Sequence, residues 1–266
     1  MKLPSYFISH GAGPWPFMKE EIGDSHDLLE ASLRAVPTQL REPPKAIVVV
    51  SAHWVMPRFT LTASARPPLL YDYRGFPPRT YTVTYPAPGA PELAHRISAA
   101  LDAAGLRADL DRARGLDHGA FVPLSVMFPL ADIPVIQLSL QAGYDPAAHW
   151  TAGRALAALR DEGVMILGSG LSYHNTRPLP GSVSRDSLAF DGWLGQVLIG
   201  STPADRARSL LEWESAPAAR AAHPSEEHFI PLLVAAGAAE YEAAERLYTE
   251  STFLGAATIS SFRFGA

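Results

Sequence analysis

Short uninterrupted apolar runs recur along this chain, separated by longer stretches in which apolar positions return every three or four residues. Runs at residues 3–9, 46–51, 134–140, 164–169 and about 256–264 have the length, composition and bounding turn residues of buried strands. Between them, "PELAHRISAALDAAG" (91–105) starts with proline in its first turn, carries Leu93, Ile97 and Leu101 at helical spacing, and stops at Gly105. "AHWTAGRALAALRDEG" (148–163) follows the same plan, with Gly163 just before the strand VMILGSG. In "HPSEEHFIPLLVAAG", Ser225 is the expected N-cap, His228 falls in the first turn, and the apolar run ends near Gly237. Strands alternating with helices predict an α/β fold, with a central, largely parallel or mixed sheet flanked by helices. No repeat and no Gly/Ser linker divides the chain, so one domain over residues 1–266 is expected.

Composition narrows the function classes. The 266 residues are 47% hydrophobic, enough for a sizeable core, and 22 Lys plus Arg against 27 Asp plus Glu leave a net charge of −5. No basic stretch offers a phosphate-neutralising surface, so nucleic acid is not an expected partner. The N-terminus lacks the charged and apolar regions of a secretion signal, and no run of about 18 apolar residues occurs; a cytoplasmic protein without membrane association is expected. The absence of cysteine excludes disulfides, thiolate catalysis and sulfur-ligated zinc, so any metal must be held by His, Asp or Glu. Many of the 24 prolines fall in loops such as residues 65–91, a long irregular connection that reads either as a lid or pocket wall or as a rigid surface loop.

The histidines are placed unevenly. His10 follows "YFIS", His53 follows "IVVVSA" and His174 follows "VMILGSGLSY", each close to the C-terminal end of an expected strand. Ligands of open α/β sheets bind in the crevice beyond those ends. Any one of these histidines is explained by packing or capping; three in the same topological place point to a shared metal site at that edge of the sheet. His228 would reach it from its helix start, and His118, between Gly115 and Gly119, from a loop tip. Asp117 either orients an imidazole or forms a turn, and Glu226 and Glu227 either belong to the site or are only a cap and a solvated face, the second being the preferred reading. His223 is a neighbour of the site or exposed, and His26, His95 and His149 are expected at the surface. Nitrogen ligands without sulfur suit Zn, Fe, Cu or Ni, and three protein ligands leave positions open for substrate. Histidines left over can serve as acid and base near neutral pH.

Six segments in order, "SHGAGP", "AIVVVSAHW", "GFPPRTYTVTYPAPGAPELA", "GLDHGAFVPLSVMFPLADIPVIQLSL", "ALRDEGVMILGSGLSYHN" and "EEHFIPLL", resemble the class III extradiol ring-cleavage dioxygenases over nearly the whole chain. The branch it is most similar to is that of the 4,5-DOPA extradiol dioxygenases. The resemblance implies a single-domain α/β protein with Fe(II) at the sheet edge, or Zn(II) in some purified members. It implies His10, His53 and His228 as metal ligands. His174 matches the acid/base residue, which some members use as a fourth metal-site residue, and His118 matches a histidine contacting bound oxygen or substrate. Two departures stand out. The related protocatechuate branch has a carboxylate as third ligand where this chain has His228 with Glu226 and Glu227 beside it, and the usual "HGSP" is replaced by "HGAGP" with Ala12 and Gly13. The implied partners are a catechol and O2, with a homodimer as the implied assembly. Within the reaction, His174 is expected to take a phenolic proton and His118 to donate a hydrogen bond to developing oxygen charge. Tyr71, Tyr73 and Arg79 are expected either to shape the substrate pocket or to belong to a plain loop. Two other readings remain: a zinc-dependent hydrolase using the same histidine-rich site, and a binding module that keeps the fold.

Overall fold

A computed structural model describes residues 2–175 and 183–265. Eight strands form one sheet in the order β4-β3-β5-β2-β6-β1-β8-β7: β1 Ser5–Ser9, β2 Ala46–Met56, β3 Phe59–Thr62, β4 Ala108–Asp111, β5 Val135–Gln141, β6 Val164–Gly170, β7 Ala244–Phe253 and β8 Ala257–Phe264. The central strands β5, β2, β6 and β1 run parallel, whereas β8 joins β1, β7 joins β8 and β3 joins β5 in antiparallel sense. The sheet is therefore mixed, with a parallel centre. Ile47, Val48, Val49 and Val50 of β2 are fully buried, as expected for a central parallel strand covered on both faces.

The helices are α1 Lys19–Ile22, α2 Asp27–Ala35, α3 Pro91–Ala103, α4 His118–Met127, α5 Pro146–Leu156, α6 Val183–Gly200, α7 Pro203–Leu211, α8 Ala219–Ala222 and α9 Ile230–Gly237. Two neighbouring residues of β6 show that helices cover both faces. Successive strand residues point to opposite sides. A Cβ on Gly168 would meet the Pro231 carbonyl of α9 at 2.4 Å, while Ser169 donates to the Gly119 carbonyl of α4 at 2.5 Å. Each of the eight residues of α9 is buried, which accounts for a helix that is apolar all round. Among the described residues, no helix is long and apolar enough to cross a membrane.

Several local expectations are corrected. β2 runs on to Met56, and its pairing with β5 shifts register between Val50 and Val55. His53 thus sits within an irregular stretch of the strand, where the side chain is re-aimed. His118 is not at a loop tip: it opens α4, with Asp117 as N-cap accepting from Ala120 N. His228 precedes α9 in a turn, so Ser225 is not the N-cap of that helix. His26 and His149 are buried, because His26 stacks on Trp15 and His149 bonds across to the end of β5; His95 is exposed as expected. β3, β4 and β7 lack the long apolar runs that marked the other strands, since they occupy or adjoin the sheet edges.

Candidate active site

Two strands, the start of α4 and two connecting segments bring five histidines together. His10 leaves β1 directly, and its backbone N–H extends the β1–β6 ladder by bonding to Gly170 O at 3.0 Å. Trp15 Nε1 then caps the His10 carbonyl at 2.8 Å. Gly11, at φ +81°, makes the turn between them, and a Cβ there would strike the Trp15 ring. His53 is fastened to α4 through Ser51: its N–H bonds to Ser51 Oγ at 3.2 Å, and Ser51 donates to Asp117 Oδ1 at 2.7 Å. Gly119 permits that close approach, because a Cβ would lie 2.5 Å from Ser51 Oγ and 2.9 Å from His53 Cδ2.

Asp117 is fully buried and also receives bonds from Gln137 and Arg114. Burial pushes its carboxyl up, against the lowering effect of its Ser51 and Gln137 bonds. Its role is the turn-and-cap alternative, since it makes no bond to an imidazole ring nitrogen.

His228 is held from the other side. Leu171 N donates to the His228 carbonyl at 3.1 Å, and a Cβ on Gly170 would lie 2.1 Å from that oxygen. His174 hangs from α8 through its backbone N–H to Ala222 O at 2.9 Å, and its ring stacks on His228 with centroids 3.4 Å apart. His223 is buried beneath them, bonding Ser172 O at 3.0 Å; burial lowers its pKa to about 3.

The rings converge. His53 Nε2 and His10 Nε2 are 3.2 Å apart, and the ring centroids of His53 lie 4.0 Å from His118 and 5.0 Å from His228. One ligand atom from each of His10, His53 and His228 falls within 4.8 Å of the others. His10, His118 and His228 are buried, and His53 and His174 are partly open. Burial first, then the neighbouring imidazoles, hold His10 and His53 well below the usual histidine pKa. Burial also lowers His228 to about 4, although Glu227 pulls the other way. Neutral imidazoles with free lone pairs are the form a metal requires.

Two carboxylates flank this cluster: Asp72, which nothing in the sequence marked, and Glu227, for which a solvated face was the preferred reading. Asp72 Oδ1 accepts from His118 Nδ1 at 2.8 Å and from His118 N at 2.9 Å, while Oδ2 lies 3.8 Å from His53 Nδ1. Glu227 Oε1 lies 3.1 Å from His228 Nδ1 and 3.5 Å from His174 Nδ1. Glu227 is therefore no solvated face; its bonds to His174 and His228 hold its carboxyl far below the ordinary range. Glu226 instead pairs with Arg220 at 2.8 Å. With His10 Nδ1 at 2.9 Å from Gly11 O, each of the five Nδ1 atoms stands beside an oxygen. Metal-binding histidines commonly anchor the non-ligating nitrogen in this way, so the residues present fit a metal.

The proline-rich connection forms a pinned wall. Tyr71 and Tyr73 donate to Val83 O and Thr80 O, and Tyr73 also meets the His118 ring edge to face. Arg79 is exposed and pairs with Glu21.

Residues 4–261 match the family described as the catalytic LigB subunit of aromatic ring-opening dioxygenase. The chain belongs to the LigB family. A 4,5-DOPA dioxygenase extradiol of Beta vulgaris is 40% identical, the alignment covering 98% of this chain and 96% of that one. The Escherichia coli K12 protein of the same name is 34% identical, over 99% and 95% of the two chains. Among solved structures, the crystal structure of an uncharacterized Escherichia coli K12 protein superposes with a TM-score of 0.78 at 31% identity, covering 99% of this chain and 100% of that one. For a LigB-family chain, ring-opening dioxygenation is the activity, and a metal-binding cluster of imidazoles is the equipment that activity needs.

Proposed function

We propose that this LigB-family chain cleaves a catechol ring beside its diol, inserting both atoms of O2, with His10, His53 and His228 as the ligands of an Fe(II) ion. The observation that carries this reading is the meeting of three imidazole edges from β1, β2 and the turn before α9, each with Nδ1 beside an oxygen. When bound, such an ion supplies Lewis acidity toward the catechol oxygens and a redox couple for O2. Zn(II) fits the same nitrogen set and would be a bound but redox-silent occupant.

The remaining residues act on substrate protons. His174, partly open beside His228, takes the phenolic proton that the ligand set does not, and later returns one. His118 has Nδ1 committed to Asp72, so it faces the substrate through Nε2: an acceptor while neutral, and a donor to developing oxygen charge once it carries a second proton. Tyr73 and Tyr71 build an aromatic wall suited to a planar ring. DOPA-like catechols are the first candidates, given the names of the relatives.

The test is a panel of DOPA, dopamine, caffeate, protocatechuate and simple catechol, given to protein loaded anaerobically with Fe(II). Yellow ring-opened semialdehyde with stoichiometric O2 uptake is expected for at least one. Hydrolysis without O2 uptake would transfer the site to a zinc hydrolase. His53→Ala should abolish metal binding, whereas His174→Ala should keep the metal and lose most turnover; loss of metal in His174→Ala would make it a fourth ligand.

A further inference from the structure

Building on the metal-site reading above, we propose that Asp72 and Glu227 are positioning residues, one on each side of the cluster, that lock the imidazoles as Nδ1–H tautomers with Nε2 turned inward. An ionised carboxylate can only accept hydrogen bonds. At 2.8 Å from Asp72 Oδ1, His118 Nδ1 must therefore carry the proton, and the His118 backbone N–H binds the same oxygen, fixing ring and chain together. The second Asp72 oxygen stands 3.8 Å from His53 Nδ1, on the edge of that ring away from His10. On the other side, Glu227 Oε1 serves His228 Nδ1 and His174 Nδ1 at once, and the two rings stack, so one carboxylate orients both. Ser225 Oγ holds the remaining Glu227 oxygen.

The two carboxylates are built for this task differently. Asp72 projects an 18% exposed side chain from a loop pinned by Tyr71 and Tyr73, while Glu227 sits in the turn that carries His228 itself. Histidine in water favours the Nε2–H tautomer. Without these carboxylates the inward nitrogens would spend most of their time protonated and would have to be reset before accepting a metal or a substrate proton.

Nitrogen NMR of metal-free protein labelled with 15N-histidine, at a pH where the imidazoles are neutral, tests this directly. In the wild type, His118 and His228 should show a protonated Nδ1 and a bare Nε2. Asp72→Ala, which removes the acceptor, should return His118 to the Nε2–H form without moving His228, and Glu227→Ala should do the same to His228 without moving His118. Competition titration with Zn(II) should show about 10- to 100-fold weaker binding in Glu227→Ala and a smaller loss in Asp72→Ala. Glu227→Asp and Asp72→Glu, which keep the acceptor, should recover part of each effect. A wild type with Nε2–H tautomers at His118 and His228 overturns the proposal, and that measurement does not depend on any variant folding. Tautomers that ignore both substitutions also overturn it. Tautomers that follow the carboxylates in a protein that binds neither Zn(II) nor Fe(II) would uphold the positioning role and refute the metal-site reading.

Discussion

The two sides of the histidine cluster are built by different means. His10 and His53 ride on β1 and β2, at the centre of the parallel sheet, and their positions follow from ladder bonds and from the Ser51–Asp117 tie to α4. His174 and His228 stand on loops between elements, held by single backbone bonds to α8 and to Leu171 just past β6, and by their shared carboxylate. The strand side obtains most of its precision from the ladder bonds of β1 and β2, which form with the sheet in any case, and only the aim of His53 depends on the register shift in β2 and the close approach at Gly119. The loop side obtains it from close backbone contacts that only particular residues permit, so it is the side on which small changes should do the most harm.

The largest expected effect tests that difference. Gly170→Val would place side-chain atoms where the His228 carbonyl already lies, and should lower stability by more than about 3 kcal/mol or prevent folding; urea unfolding measures it, and a near-neutral result would mean the loop adapts. Next comes a pH effect beside the strand side. His149 donates through Nδ1 to Asp145 O and accepts at Nε2 from Gln141 N, the residue paired with Met56 of β2, so only the neutral ring satisfies both bonds. Burial lowers its pKa from 6.5 to about 4. The unfolded chain therefore binds this proton first as pH falls. The stabilising contribution is complete above about pH 6.5, shrinks through the window down to about pH 4, and amounts to roughly 3 kcal/mol in all. Melting temperatures of wild type and His149→Leu across that window should converge as pH falls.

Gly119→Ala should cost about 1–3 kcal/mol by forcing Ser51 and His53 away from α4. Because it strikes the strand side, it should also weaken metal binding in a Zn(II) titration; stability loss without any change in binding would show His53 to be held by β2 alone. Arg79→Ala should be the mildest, leaving the unfolding midpoint almost unmoved, since its pair with Glu21 is exposed and screened by solvent. A large rise in KM for a carboxylated catechol would restore Arg79 to the substrate side.

How far the site could be read in advance follows the same division. The run Val48–Val50 marked β2 without ambiguity, and the spacing of histidines after three apolar runs was enough to place His10, His53 and His174 at one edge. The turn before α9 was misread because Ser225 and two glutamates imitate a cap, although the chain uses Glu227 on His174 and His228 instead. His26 and His149 looked like surface residues because they lie in helix-like or polar stretches; each is buried against partners distant in local pattern, an indole in one case and a strand end in the other.

By itself the sequence determined the α/β architecture, the strands that carry His10 and His53, and the absence of any thiolate ligand, because these depend on local periodicity and composition. Tertiary structure alone decided which carboxylates face which rings. Asp72 lies 46 residues from His118 and within a proline-rich loop that has no periodicity. Glu227 adjoins His228 yet also reaches His174, across a distance in the chain that no local pattern encodes. A hydrogen-bonding partner is chosen by direction and separation in space, and those exist only once the sheet and its loops have closed around the cluster.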